Sequence, residues 1–225
     1  MNLFTTADCS GTFSLPVTVA ANASTTFRAG GDAQGNCAIV YNGHSSGGTT
    51  HAARAVRYAG PPGFKAWGTP FFLGPEASDT DGVGVAVNAN GQVVAAFSHF
   101  SSALGDHEVM VRQYELGVGW RAPVSVGPAY AGFQGTGFFD VGIDAQGNAI
   151  VLSRQYSTSS AIKLFASRYR VGVGWLPAEE VDSEVGWSAA TSSAREQGPR
   201  VAMAASGRTL VTYWKGTTVS ARWLE

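Results

Sequence analysis

The chain has 225 residues, of which 44% are hydrophobic, and its 15 basic residues nearly balance its 16 acidic residues. This length and composition suffice to bury a core, as one large β domain or two smaller domains. The near-neutral charge, without a lysine- or arginine-rich run, argues against binding to nucleic acid or to an anionic membrane. No apolar run reaches the length of a membrane span. The N-terminal residues do not resemble a signal peptide, so an export signal would lie outside this sequence.

One turn signature occurs four times along the chain. The four copies are Asp32-Ala33-Gln34-Gly35, Asn88-Ala89-Asn90-Gly91, Asp144-Ala145-Gln146-Gly147 and Ala204-Ala205-Ser206-Gly207. Their glycines are separated by 56, 56 and 60 residues. A period of this length predicts a repeat fold whose units are larger than helical hairpins.

Each repeat contains runs that read as four β-strands, which we name A to D. In the second repeat, residues 83–87 lead into the turn and residues 92–97 leave it, as in a β-hairpin. A polar loop, a run at 108–114, a Gly-x-Gly-Trp turn at 117–120 and a last run at 122–126 follow. The third repeat has corresponding runs at 141–143, 148–153, 162–169 and 178–181. We call each four-stranded unit a blade.

The fourth repeat stops one strand short, whereas residues 13–20 match the pattern of strand D without strands A to C before them. This predicts an all-β propeller of four four-stranded blades, in which the N-terminal strand completes the C-terminal blade and removes an open sheet edge. The expected boundaries, within one domain of residues 1–225, are 27–73, 83–127, 139–182 and 199–225 plus 13–20. One chain supplies every strand, which favours a monomer. A dimer of half-rings is the alternative.

The Val-x-Val-(Asp/Asn)-Ala-x-Gly hairpins and Gly-x-Gly-Trp-x-x-Pro turns cover most of the chain and resemble those of bacterial β-propeller repeat proteins. This resemblance implies the fold. Propellers of this type include sugar-binding lectins, glycoside hydrolases, lyases and interaction scaffolds, so the resemblance implies no single activity. The turns lack the sialidase motif Ser-x-Asp-x-Gly-x-Thr-Trp.

Two cysteines test the arrangement of the N-terminus. Cys9 precedes the N-terminal strand and Cys37 follows the first A-to-B turn, so neighbouring blades would bring both to one face. A disulfide between them would stabilise the fold by roughly 3 kcal/mol on the chain-entropy model and would indicate an oxidising compartment. The alternative is two unrelated thiols. The low content of charged residues, 14%, also favours a secreted, periplasmic or cell-surface protein.

The two faces of the predicted propeller differ. The B-to-C and D-to-A connections emerge on one face, which we call the loop face, and the A-to-B and C-to-D turns on the opposite, turn face. The turns are short and repetitive, and we expect Trp67, Trp120 and Trp175 beside them to pack between blades. The loop-face connections are long and differ in each repeat. Because function tends to lie in such loops on a rigid scaffold, the site is expected on the loop face.

All four histidines fall on the loop face, beside several carboxylates. Imidazoles and carboxylates that converge can bind a transition metal or serve as acid and base, although exposed loop histidines are commonly only solvated. The candidate catalytic residues are His99, Asp106, His107 and Glu108, and the candidate metal ligands are His44, His51, His99 and His107. The connecting loop adds Glu76, Asp79 and Asp81. No cofactor is predicted.

Aromatic residues on the same face suit a neutral, amphipathic ligand. Aromatic rings stack on the C–H surfaces of sugars, while neighbouring amides and hydroxyls bind the sugar hydroxyls. The candidate ligand-binding residues are Phe100, Tyr130, Phe133, Tyr156, Trp187 and Trp214. The sequence therefore predicts a non-catalytic, extracytoplasmic binding propeller that recognises a glycan or another neutral surface ligand. The alternative is a polysaccharide hydrolase or lyase that uses loop carboxylates and histidines on the same face; a glycosidase would need two facing carboxyl groups.

Overall fold

The computed structural model describes residues 4–5, 17–20, 23–44, 51–60, 66–75, 82–103, 105–127, 138–156, 162–183, 198–215 and 218–224. Within these ranges the chain is all β, and it contains no helix long and apolar enough to cross a membrane. Its strands form four antiparallel sheets, one for each repeat, and a short N-terminal ribbon. The predicted four-bladed propeller is confirmed.

The strands follow the repeats in order. The ribbon pairs β1 (Phe4–Thr5) with β2 (Val17–Thr18). The first blade contains β3 (Ala23–Gly31), β4 (Cys37–His44), β5 (His51–Ala59), β6 (Ala66–Trp67) and β7 (Phe71–Phe72). The second contains β8 (Val83–Val87), β9 (Val93–Ser101), β10 (Asp106–Glu115), β11 (Gly119–Trp120) and β12 (Val124–Ser125). The third contains β13 (Phe138–Ile143), β14 (Ala149–Tyr156), β15 (Ile162–Arg170), β16 (Gly174–Trp175) and β17 (Glu179–Asp182). The fourth contains β18 (Arg200–Met203), β19 (Thr209–Lys215) and β20 (Thr218–Leu224).

Strand D is divided in each of the first three blades. Its two short segments both pair with strand C, as β6 and β7 do with β5. A proline lies between the segments in all three blades, at Pro70, Pro123 and Pro177. Proline has no N–H to donate, so it interrupts a ladder and is tolerated at the outer edge of a sheet.

The repeated turn signature is held by a side-chain acceptor. The Oδ1 atom of Asp144 accepts hydrogen bonds from the backbone N–H groups of Gln146, at 2.9 Å, and Asn148, at 2.8 Å. Asp32 and Asn88 make the same pair of bonds in their own repeats. The glycine that ends each turn has a positive φ, between 70° and 93°, which disfavours any residue with a Cβ. Ala204 lacks a side-chain acceptor, so the fourth turn is held by its backbone bonds and by a hydrogen bond from Oγ1 of Thr209 to the carbonyl of Gly207.

Neighbouring blades pack through three hydrophobic layers, which we call seams one, two and three. Seam one joins the first and second blades through Val40, Ala53 and Phe97, among others. Seam two joins the second and third blades around Val94, Val109 and Val151, and seam three joins the third and fourth around Leu164 and Val211. Trp120 packs against seam one and Trp175 against seam two, as expected. Trp67 packs on the side of the first sheet that faces away from the second blade.

The N-terminal segment contacts the first blade. Of the predicted closing strand, the structure describes residues 17–20. Here β2 pairs with β1. Val19 and Ala20 pack against Ile39 and Val56, on the side of the first sheet that faces away from the second blade. Among the described residues the fourth sheet therefore has three strands. Burial of these apolar side chains explains why the segment lies against the first blade.

The A strands of the blades lie innermost and contact one another in order. β3 contacts β8, β8 contacts β13, and β13 contacts β18. A Cβ atom at Gly84 would lie 2.8 Å from Cγ2 of Val141, so glycine permits the close approach of β8 and β13. The four A strands thus define the axis around which the blades are placed.

Candidate functional site

Three charged residues on the innermost strands of different blades interact electrostatically with one another. They are Arg28 on β3, Asp140 on β13 and Arg200 on β18, and we call them the axial cluster. Each stands seven residues before the glycine of its own turn, and the second repeat has Gly84 at the same position. Asp140 and Arg200 lie near the starts of their strands, which places the cluster towards the loop face.

Asp140 fixes the cluster to the backbone of two blades. Its Oδ2 atom accepts a hydrogen bond from the N–H of Val201 at 2.7 Å, and its Oδ1 atom accepts one from the N–H of Val141 at 3.1 Å. Burial raises the pKa of Asp140, while these two N–H groups, Arg200 and Arg28 act in the opposite direction. The carboxylate is therefore partly desolvated and oriented, as a binding group should be.

Arg28 is the residue that the first blade contributes to the axial cluster. Burial lowers the pKa of the Arg28 guanidinium, the positive charge of Arg200 adds to this effect, and Asp140 opposes it. Arg28 on the first blade thus interacts electrostatically with Asp140 on the third blade and Arg200 on the fourth. Two guanidinium groups and one carboxylate leave the cluster with one excess positive charge. Such a cluster can bind an anionic or hydroxyl-rich group.

Three of the four histidines flank seam one. His44 and His51 are opposite each other on β4 and β5, with ring centroids 4.5 Å apart. By strand alternation they lie on the side of the sheet that faces the second blade. His99 is opposite Glu108 on the second blade, on the side that faces the first blade. Among the described residues, however, no group of three or more His, Cys, Asp or Glu side chains is placed to hold a metal ion.

His107 lies on the other side of the second blade. It is opposite Phe100, with ring centroids 5.5 Å apart, and shares the side of Val109, which faces the third blade. The sheet thus separates His107 from His99 and Glu108. Side chains of adjacent residues in a strand point to opposite sides, so the consecutive residues His107 and Glu108 lie on opposite sides of the sheet. The side chain of Asp106 lies outside the described residues.

The predicted aromatic residues are described only in part. Phe100 is 43% exposed, and Trp214 is half-buried on β19. Tyr130, Phe133, Trp187 and the side chain of Tyr156 lie outside the described residues, as do Cys9 and the carboxylates Glu76, Asp79 and Asp81. Cys37 is half-buried at the start of β4. Its pairing with Cys9 therefore stays a prediction.

None of the axial residues was expected from the sequence. They are far apart along the chain, and no motif joins them. The signal that could have identified them is the repeat register, because counting back seven residues from each turn glycine gives Arg28, Gly84, Asp140 and Arg200.

Comparison with known proteins establishes the fold. No protein-family model matches the chain, and no curated protein is significantly similar to it in sequence. A Hadza microbial sialidase matches with a TM-score of 0.53 at 13% identity, over 89% of this chain and 45% of the sialidase. A protein of unknown function from Dyadobacter fermentans matches with a TM-score of 0.55 at 12% identity, over 95% of this chain and 65% of that protein. The chain thus spans less than two thirds of each of these proteins. At such identities the likeness concerns the fold alone.

Proposed function

We propose that this propeller binds a glycan at the loop-face end of its axis and does not transform it. The axial cluster carries the proposal. The guanidinium groups of Arg28 and Arg200 offer planar sets of N–H donors, and Asp140 offers an oriented acceptor; together they match the hydroxyl groups of a sugar. The excess positive charge favours a glycan that bears a carboxylate over its neutral counterpart.

The arrangement of the described acids and bases favours binding over catalysis. A glycosidase needs two carboxyl groups about 5 Å or about 6.5–9.5 Å apart across the scissile bond. Within the described residues the axial cluster has one carboxylate, Asp140, and the strand geometry separates Glu108 from His107. Binding requires no second carboxyl group, so these residues suffice for it.

One structural comparison supports a carbohydrate ligand, and several further features are proposed with it. One of the solved structures that share this fold is a sialidase. Phe100, Tyr130, Phe133, Tyr156, Trp187 and Trp214 are proposed to supply stacking surfaces around the axis. We also propose that the protein is exported, that Cys9 and Cys37 form a disulfide, and that a single chain closes the ring.

A glycan array that contains neutral, carboxylated and sulfated glycans tests the proposal. Wild type is compared with Arg200→Ala, which removes an exposed axial charge, and with Arg170→Ala, which makes the same chemical change at an exposed position beside the turn face. Wild type and Arg170→Ala should bind carboxylated glycans, and Arg200→Ala should lose most of this binding. No glycan binding by wild type, or equal binding by both variants, would contradict the proposal. Release of new reducing ends from a bound glycan would show that the protein is an enzyme.

A further inference from the structure

A cleft between the second and third blades opens on the turn face, away from the axial cluster. Its volume is about 410 Å³, and Tyr169 lines it together with the amide side chains of Gln92, Gln113 and Gln146. Glu115 and Arg121, which form an ion pair at 2.7 Å, lie at its margin. We call it the seam-two cleft.

The same position in seam one is filled by an arginine. The guanidinium carbon of Arg57 lies 3.4 Å from the centroid of the Tyr114 ring, and Nη2 of Arg57 donates a hydrogen bond to the carbonyl of Gly91 at 3.2 Å. Burial lowers the pKa of Arg57, so this guanidinium is partly withdrawn from water. The protein thus supplies its own occupant for the space above Tyr114.

The repeat register shows that seam two has the same floor without the occupant. Tyr169 is opposite Ala149 as Tyr114 is opposite Val93, so the tyrosine is retained. Gln113 is opposite Val94 in the second blade, just as Arg57 is opposite Ala38 in the first, so the two positions correspond. At this position seam two therefore has a shorter, uncharged glutamine in place of the arginine. The space that Arg57 fills in seam one is therefore open in seam two.

Seam three provides the complementary comparison. It has a cleft of about 430 Å³, but Leu224 stands opposite Thr209 where the other seams have a tyrosine. Arg168, which corresponds to Arg57, forms an ion pair with Glu179. Of the three seams that the described blades form, seam two alone combines an open cleft with a tyrosine at this position.

We propose that the seam-two cleft binds one neutral saccharide unit, with the C–H face of the sugar ring against Tyr169. The amides of Gln113 and Gln146 provide both donors and acceptors for sugar hydroxyls, and the Glu115–Arg121 pair leaves the margin without net charge. The cleft has the size of a small-molecule pocket. This site is separate from the axial cluster and does not depend on the proposed function of the loop face.

The comparison between seams gives the decisive variants. Gln113→Arg reproduces the filled state of seam one, and Tyr169→Leu reproduces the side chain of seam three. The probes are millimolar methyl glycosides of glucose, galactose, mannose, fucose and N-acetylglucosamine, followed by saturation-transfer NMR and calorimetry. Wild type should bind at least one of them at one site, and both variants should weaken binding about tenfold or more. Gln34→Arg, the same change at an exposed turn of the first blade, should leave it unchanged.

A gain-of-site variant tests the same inference in the opposite direction. Arg57→Gln removes the internal occupant of seam one and should raise the number of glycosides bound from one to two. Two outcomes would overturn the proposal: no saturation transfer to any of the five glycosides, or binding by Gln113→Arg equal to that of folded wild type. Binding of N-acetyl-arginine amide in place of the glycosides would show that the cleft accepts a guanidinium group and would also overturn it.

Discussion

Replacing Asp144 by alanine should destabilise the turn between the first two strands of the third blade. Asp144 is 2% exposed and accepts three hydrogen bonds through its carboxylate, two from backbone N–H groups and one from Nδ2 of Asn148 at 2.8 Å. Its carbonyl accepts a further bond from Nδ2 of Asn88 on the second blade, at 2.9 Å. Alanine keeps that carbonyl but leaves three donors without their acceptor.

The expected cost follows from those three bonds. A hydrogen bond to a charged group contributes about 1.5–3 kcal/mol, but donors at a turn recover part of this from water. We therefore expect Asp144→Ala to lower the free energy of unfolding by about 3 kcal/mol, with a fall in Tm of roughly 6–12 °C for a chain of this size. Asp144→Asn should cost about 1 kcal/mol or less, since Asn88 accepts the corresponding two N–H groups, both at 3.1 Å, in the second repeat.

Urea unfolding followed by circular dichroism measures these differences, with Asp32→Ala as the matched change in the first blade. Asp32 makes the equivalent bonds in a less buried turn, so Asp32→Ala should lower the free energy of unfolding less than Asp144→Ala does. The reasoning would be refuted if Asp144→Ala unfolded within about 0.5 kcal/mol of wild type, the range of ordinary surface substitutions. If Asp144→Asn and Asp144→Ala lowered the free energy of unfolding equally, the role assigned to the side-chain oxygen as hydrogen-bond acceptor would be refuted.

Two further predictions concern the axis. Gly84→Ala should lower the free energy of unfolding by about 1–3 kcal/mol in urea titrations, because the added Cβ would lie 2.8 Å from Val141 and 3.2 Å from Phe139. The control is Gly68→Ala, whose Cβ would lie 3.6 Å from its nearest neighbour and which should change the free energy of unfolding little. Burial raises the pKa of Asp140 above its ordinary 3.8, so the stability that its protonated form provides is complete below that value and is lost as the pH rises through the pKa of the folded state. The stability of wild type relative to Asp140→Asn should therefore fall as the pH rises from 3.8 through the raised pKa of the folded state, and a constant difference would contradict the pKa direction.

The fold could be predicted because its signals are local. The spacing of Gly35, Gly91, Gly147 and Gly207 gave the period, and the positive φ of each glycine is the conformation that the turn requires. Alternation of apolar residues on either side of the turns then predicted hairpins. The position of β2 was harder to predict, because the sequence pattern of a strand does not specify its partner.

The site was less predictable because it depends on register and on contacts between repeats. His99 and His107 border one loop, but the pairing of β9 with β10 decides on which side of the sheet each lies. The axial cluster forms only when residues of three blades surround one axis. Likewise, the sequence aligns Arg57 with Gln113, but only packing against Tyr114 shows that the arginine fills a cleft.

The most direct test of the central claim is the affinity of the protein for a carboxylated glycan from the array and for the methyl ester of the same glycan, measured by calorimetry. Esterification removes the negative charge and little else, so the ratio of the two affinities reports the axial charges. Wild type should prefer the carboxylate by about tenfold or more, and Arg200→Ala should lose most of that preference. Equal affinities in wild type, or an unchanged preference in Arg200→Ala, would contradict the assignment of the axial cluster as the glycan-binding site.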